Sequence, residues 1–317
     1  GHGYFYGILA SNEFEEPVLD EGMNEYWDAR MLRANRYAIH AATPLMQKLG
    51  IAPTFQPFDI ERVAAPREEP ADAPGQNAWD RLQGIGPVYT RSATVMRDLE
   101  AQIGSEAMER AMKAYYQRWK FRHPSVADLR ESLAEASGQR AIVEAVFAQQ
   151  IYKTSKVDDR VDALTSVEQL PGPGLRLVGG VRRESTADAL EKQIEATRKQ
   201  WKDQHGMATT ALGPYPFETT VTLRRRGAPV PQTLVVRFAD GSAETVRWDG
   251  ADNWKRFTWV RPARAVSAEL DPQRLHYLDV NKLDDSRTIE PDPRASRRWG
   301  ADLAALFQAL VALLANV

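Results

Sequence analysis

The chain has 317 residues, 43% of them apolar and 26% charged, which is enough globular material for about two domains with buried cores. A net charge of −2 supplies no basic field, so the composition argues against a nucleic-acid partner and against charge-driven membrane binding. The absence of cysteine excludes disulfides, thiolate nucleophiles and cysteine-ligated metals, and leaves zinc held by histidine and carboxylate open.

The first residues, Gly1-His2-Gly3, run straight into the apolar, aromatic helix suggested by GYFYGILA, without the Ser, Thr, Asp or Asn that opens a helix. The expectation is that the chain is cut here, or that these residues pack against something before them. From Gly22 to about Lys153 the periodicity is helical. Met23, Tyr26, Trp27, Met31 and Leu32 recur at three-to-four spacing, and His40, Leu45, Met46 and Leu49 continue the pattern until Gly50. Pro66, Pro70 and Pro74, set among charged and small residues between Ala64 and Asn77, predict an extended surface loop. Val88, Ser92, Val95, Met96, Leu99 and Ile103 then mark one helix face ending at Gly104. Ser105 is placed to cap a helix through about Trp119, and Ser125 with Asp128 to open another.

Beyond Thr154 the period becomes alternating. Short runs at 219–227, 233–241, 243–249, 254–261 and 265–272, punctuated by Gly, Asp and Pro, predict an antiparallel β-sandwich over 154–292 with a helical insertion near 186–205. Trp248 and most of its neighbours read as sandwich core. Trp254 and Trp259, an odd number of positions apart, predict that one of them faces outward. The run Arg224, Arg225, Arg226 reads as an exposed edge guarded by charge. A C-terminal helix is expected over 293–317. Its apolar run from Leu303 contains Gln308 and is shorter than the roughly 18 residues of a spanning helix, so docking on the body is favoured over membrane contact.

Eighteen residues separate His2 from Glu21, which stands in Leu19-Asp20-Glu21-Gly22. Such a pair is weak alone. Its flanks, GHGYFYGILASNEFEEPVLDEGMNEYW, resemble the zinc-binding stretch of gluzincin aminopeptidases of the alanyl aminopeptidase and leukotriene-hydrolase type. In that family two His one helical turn apart, in HExxH, hold zinc together with a Glu from the next helix, and the Glu inside the motif is the general base. Gly3 and Val18 depart from the family's Gln and Trp. The resemblance implies that His2 is the second zinc-ligating His and Glu21 the third ligand, with the first His and the catalytic Glu lying before Gly1. Pro87-Val88-Tyr89, running on to Glu100, resembles the family's PYxKGAxVLRxLE, which implies that Tyr89 donates its hydroxyl to the oxyanion of the tetrahedral intermediate.

The resemblance is specific over residues 1 to about 152 and loose beyond. It implies an α+β fold: the mainly helical C-terminal half of a thermolysin-like catalytic domain over 1–153, then the antiparallel β-sandwich and the C-terminal helix. The implied activity is hydrolysis of N-terminal peptide bonds by metal-activated water, with Zn2+ as cofactor and with a peptide substrate and the preceding region of the same protein as partners. A chain truncated within HExxH is expected to be inactive in isolation and to bind zinc weakly or not at all. The alternative is a non-catalytic helical plus β-sandwich interaction module or pseudoenzyme remnant. The compartment stays open, cytoplasmic or periplasmic and membrane-associated alike. Glu13, Glu15 and Glu16 read as a solvated acidic loop, Glu25 as a solvated helix residue, and His40, His123, His205 and His276 as structural.

Overall fold

The computed structural model describes residues 1–40, 43–50, 54–55, 72–206, 212–249 and 252–293, with isolated helical positions at 297, 300, 301, 304, 307 and 308. Apart from those positions, the expected C-terminal helix lies outside the described residues, as does the loop before Asp72. Among the described residues no helix is long and apolar enough to cross a membrane.

The first half is helical. α1 (His2–Phe5) leads through a 3-10 turn (Pro17–Leu19) to α2 (Glu21–Ala34); β1 (Ile39–His40) pairs with β2 (Thr54–Phe55) around α3 (Pro44–Lys48). α4 (Gly86–Ile103), α5 (Ser105–Trp119), α6 (Val126–Ser137) and α7 (Arg140–Val146) follow, the last running into a π turn at Phe147–Ile151. The periodicity carried from Met23 to Leu49 does not make one helix. α2 stops at Ala34, where the Asn35 side-chain amide donates to the Met31 carbonyl at 2.9 Å and Arg36 turns left-handed at φ 54°. Asn after the last turn terminates a helix for this reason.

α4 opens with Pro87, whose fixed φ suits a first turn and whose missing N–H would have had no helical partner. Its predicted face is buried from Val88 to Ile103. Ser105 does not cap α5; its hydroxyl donates instead to Glu100 at 2.7 Å. α6 does carry the expected capping box, with the Ser125 hydroxyl accepting from the Asp128 N–H and the Asp128 carboxylate accepting from the Ser125 N–H. α2 crosses α4 at Gly22, where an added Cβ would lie 2.4 Å from the Ser92 Cβ. A side chain there would push the two helices apart.

The second half is built from antiparallel sheets, so the fold is α+β. β3 (Asp159–Glu168), β6 (Leu212–Arg225) and β9 (Trp254–Ala263) form one sheet in the order β3-β6-β9. β7 (Gln232–Phe238), β8 (Ala243–Trp248), β10 (Ala265–Leu270) and β11 (Ser286–Thr288) form the other in the order β11-β10-β7-β8. Val161, Val221 and Leu223 of the first sheet share a buried core with Leu234, Val236, Phe238, Trp248 and Leu270 of the second. A separate hairpin of β4 (Gly174–Val178) and β5 (Val181–Ser185), absent from the expected strands, precedes α8 (Ala187–His205), which fills the expected insertion. Trp248 is buried, Trp259 packs on the core, and Trp254 is the one that faces out.

The arginine run is not an exposed edge. β6 is the middle strand of its sheet, and Arg225 is buried, donating to both Asp159 carboxylate oxygens at 2.6 and 2.5 Å and to the Val230 carbonyl at 2.7 Å. A charge in that position persists only with a full set of partners. Arg224 lies 3.4 Å from Asp162.

The two halves are stitched together. Val157, Val230 and Leu278 pack in the helical core. Arg91 of α4 donates to Gln150 at 3.1 Å and to the Ser155 carbonyl at 3.0 Å. Asp98 of α4 accepts the Tyr277 N–H at 2.7 Å and lies 3.8 Å from His276 Nδ1.

Candidate metal centre

Pro17 opens the 3-10 turn that delivers Asp20 and Glu21 to the start of α2, where negative charge is favoured by the helix dipole. α1 brings His2 to the same point. His2 Nδ1 lies 2.7 Å from Asp20 Oδ2 and 3.7 Å from Glu21 Oε2. One ligand atom from each of the three residues falls within 4.8 Å of the other two, the one such group of His, Asp and Glu among the described residues. His2 is 53% exposed while Asp20 is 1% exposed, so the trio is open to solvent on the histidine side and walled on the carboxylate side.

The hydrogen bond to Asp20 raises the His2 pKa; burial opposes it, and the negative charges of Asp20 and Glu21 add to the rise. Asp20 Oδ1 and Glu21 Oε2 are buried with no hydrogen-bond partner. Unpartnered carboxylate oxygens are costly to bury, and a cation removes that cost. An imidazole nitrogen with carboxylate oxygens is a donor set suited to zinc.

Tyr89 stands in the first turn of α4, across the close α2–α4 crossing at Gly22 and Ser92. Burial first, then a hydrogen bond to Glu21 and the charges of Asp20 and Glu13, hold its pKa well above the usual tyrosine value. The hydroxyl therefore keeps its proton at neutral pH. The structure brings His2, Glu21 and Tyr89 into one site.

Asp20, to which the sequence reading gave no role, and Glu13, read there as part of a solvated acidic loop, join them. A hydrogen bond to Asp20 first, then burial and the charges of Asp20 and Glu21, raise the Glu13 carboxyl to about 7. The available signal was the spacing of three acids around a turn, which acquires meaning only once the turn folds. Glu16 is not solvated either: it accepts the Val126 N–H at 2.8 Å and so anchors the loop to the N-terminus of α6. Of the other histidines read as structural, His123 bonds the Ala10 carbonyl at 2.8 Å, His205 stacks on Trp201, and His276 is buried at the junction of the halves.

No protein-family model matches the chain, and no curated protein does. Among solved structures it is similar to aminopeptidase A of Legionella pneumophila, solved in complex with aspartic acid, at 15% identity over 81% of this chain with a TM-score of 0.43. This chain spans 23% of the length of that one.

Proposed function

We propose that residues 1–153 form the helical part of a thermolysin-like zinc aminopeptidase domain of the gluzincin type, in which His2 and Glu21 hold zinc and Tyr89 serves the oxyanion. The observation that carries this reading is the meeting of three chain segments, around residues 2, 20 and 89, with an imidazole, two buried carboxylates and a protonated phenol at one point. Zinc, when bound, supplies Lewis acidity toward a peptide carbonyl and toward water.

The remaining roles belong to the protein. Asp20 accepts from His2 Nδ1, which leaves Nε2 as the nitrogen available to a metal and fixes the ring. Tyr89 donates its hydroxyl where negative charge develops on the carbonyl oxygen, so its contribution grows toward the transition state. The general base and the first ligating His are assigned to residues before Gly1, and on this reading the isolated chain is inactive. A second reading, a non-catalytic interaction module, draws on the exposed Leu175, Leu177, Val178 and Val181 of the β4–β5 hairpin.

Zinc titration of the chain by calorimetry separates the two. The aminopeptidase reading expects weak binding that is lost in both His2→Ala and Glu21→Ala; binding identical in wild type and both variants overturns it. In a protein extended through an upstream HExxH, Tyr89→Phe is expected to lower turnover of an aminoacyl chromogenic substrate by about 10²–10³ with little change in KM. Undiminished turnover at full zinc occupancy removes Tyr89 from the mechanism.

A further inference from the structure

We infer that the tip of the β4–β5 hairpin inserts end-on into the surface of an anionic lipid bilayer; the inference does not depend on the reading of the metal centre. Among the described residues β4 and β5 pair only with each other, as a two-stranded sheet of their own. Leu175 and Leu177 are each 72% exposed, Val181 60% and Val178 53%. A two-stranded hairpin is marginal at best in water, and exposed aliphatic groups gathered at this density mark a place where something binds.

The register sorts these side chains. Val178 pairs with Val181 across the turn, Leu177 with Arg182, Arg176 with Arg183, and Leu175 with Glu184. Directly opposed residues share a face and successive residues alternate between faces. Leu175, Leu177, Arg182 and Glu184 therefore lie on one face, and Val178, Val181 and Arg183 on the other. Gly179 and Gly180 close the turn at φ 60° and 80°, a conformation that favours glycine and leaves the end of the hairpin without side chains. The aliphatic groups nearest the turn thus occupy both faces, and behind them stands an exposed arginine on each face, Arg182 on one and Arg183 on the other.

That arrangement selects the partner. A protein docking on the hairpin meets one face and leaves the aliphatic groups of the other in water, whereas a hydrocarbon layer entered from the tip covers both. At about 3.3 Å per residue Arg183 is about 7 Å behind Val181, a distance within the roughly 5–10 Å to which interfacial apolar groups sink. With the valines at that depth the guanidinium groups reach the lipid phosphates while their stems follow the apolar layer. Residues 174–185 hold three arginines and one glutamate, a local positive excess in a chain whose net charge is −2. A few inserted aliphatic groups anchor weakly alone, and basic residues beside them supply the second attraction that stable binding to a membrane surface needs.

The test mixes the whole chain with vesicles of phosphatidylcholine alone or of equal parts phosphatidylcholine and phosphatidylglycerol, and measures the bound fraction by sedimentation. Binding to the mixed vesicles, none to the neutral ones, and release by added salt are expected. Val178→Asp combined with Val181→Asp should abolish binding, and Arg182→Gln combined with Arg183→Gln should weaken it about 20-fold. All four positions are exposed. Because the chain has no cysteine, Val178→Cys accepts a single environment-sensitive dye, whose emission should move to the blue on the mixed vesicles. No binding to either vesicle, equal binding to both, binding that survives the valine substitutions, or a dye that stays in water each overturns the proposal. Self-association in sedimentation velocity that disappears in the valine variant assigns the hairpin to a second copy of the chain and overturns it as well.

Discussion

Two buried carboxylate sites of this molecule have opposite surroundings. Asp159 receives two bonds from Arg225 and one from Gln232 at 3.0 Å, and the guanidinium lies 4.2 Å over Trp248. Asp20 and Glu21 are nearly as deep, yet each keeps an oxygen without a hydrogen-bond partner, and the imidazole that faces them is half in solvent. The first arrangement is closed and is spent on holding β3, β6 and β7 together. The second is open, and its unspent acceptors are the reason to look for a cation there. Burial of charge alone distinguishes neither; the count of partners does.

The largest effect should come from opening the closed site. Asp159→Ala leaves Arg225 buried without its counter-charge and is expected to cost about 3–5 kcal/mol in urea unfolding. A loss below 1 kcal/mol would mean that water replaces the carboxylate and that the site was never closed. Gly22→Ala comes next, because the new methyl meets Ser92 and forces α2 from α4. Overpacking of this kind costs about 1–3 kcal/mol, and zinc affinity should fall with it since Glu21 rides on the same turn. Unchanged unfolding with intact zinc binding would show that the crossing relaxes freely.

The junction offers a comparison in pH. Burial opposes charge on His276, but the negative charge of Asp98, 3.8 Å from Nδ1, with that of Asp271 and the Nε2 bond to the Pro231 carbonyl, outweighs it and raises the pKa to about 9. Asp285 is pushed up to about 8 by burial first and then by Asp279. In both cases the native state holds a proton that the unfolded chain has already released. The stabilisation is complete below the unfolded pKa, about 6.5 for His and about 3.9 for Asp, and is lost as pH rises through the folded values. The melting temperature should therefore fall between about pH 6 and pH 9. His276→Gln should flatten the upper part of that decline and Asp285→Asn the part below pH 8, both read by circular dichroism. A melting temperature that rises over this range contradicts the assignment.

The smallest effect is expected at the open site. Asp20→Asn removes a charge whose partners are incomplete, so stability should move by about 1 kcal/mol or less, while zinc affinity drops because the charged acceptor that orients His2 becomes a neutral, weaker one. A stability loss matching that of Asp159→Ala would erase the distinction between the two sites.

Features set by neighbours in the chain were legible beforehand: the buried face of α4, the capping box at Ser125 and Asp128, α8, and the alternating strands β7, β8 and β10. What escaped depends on distant partners. Nothing local distinguishes Arg225 from Arg224 until β3 places Asp159 beside it. The periodicity past Ala34 looked helical because apolar spacing outweighed one Asn and one left-handed Arg. At the candidate centre, the family resemblance pointed to His2, Glu21 and Tyr89, but the parts of Asp20 and Glu13 follow from the turn that folds them against the others. The β4–β5 hairpin was missed because its apolar residues face solvent, which strand patterning treats as an error.

α4 is an 18-residue rod that carries Tyr89 at one end and is clamped further along by Arg91 to Ser155 and by Asp98 to Tyr277. At 1.5 Å per residue the Asp98 clamp lies about 13 Å from Tyr89. A tilt of about 4° at the clamp moves the phenol by about 1 Å, a displacement on the scale that can cost 10²-fold in a reaction demanding exact placement. Arg91, two residues from Tyr89, limits that tilt from the near end, so the phenol is held by two ties to the segments flanking the β-sandwich, and a substitution at Asp98 that releases the far tie would be felt as misalignment at a place it never touches.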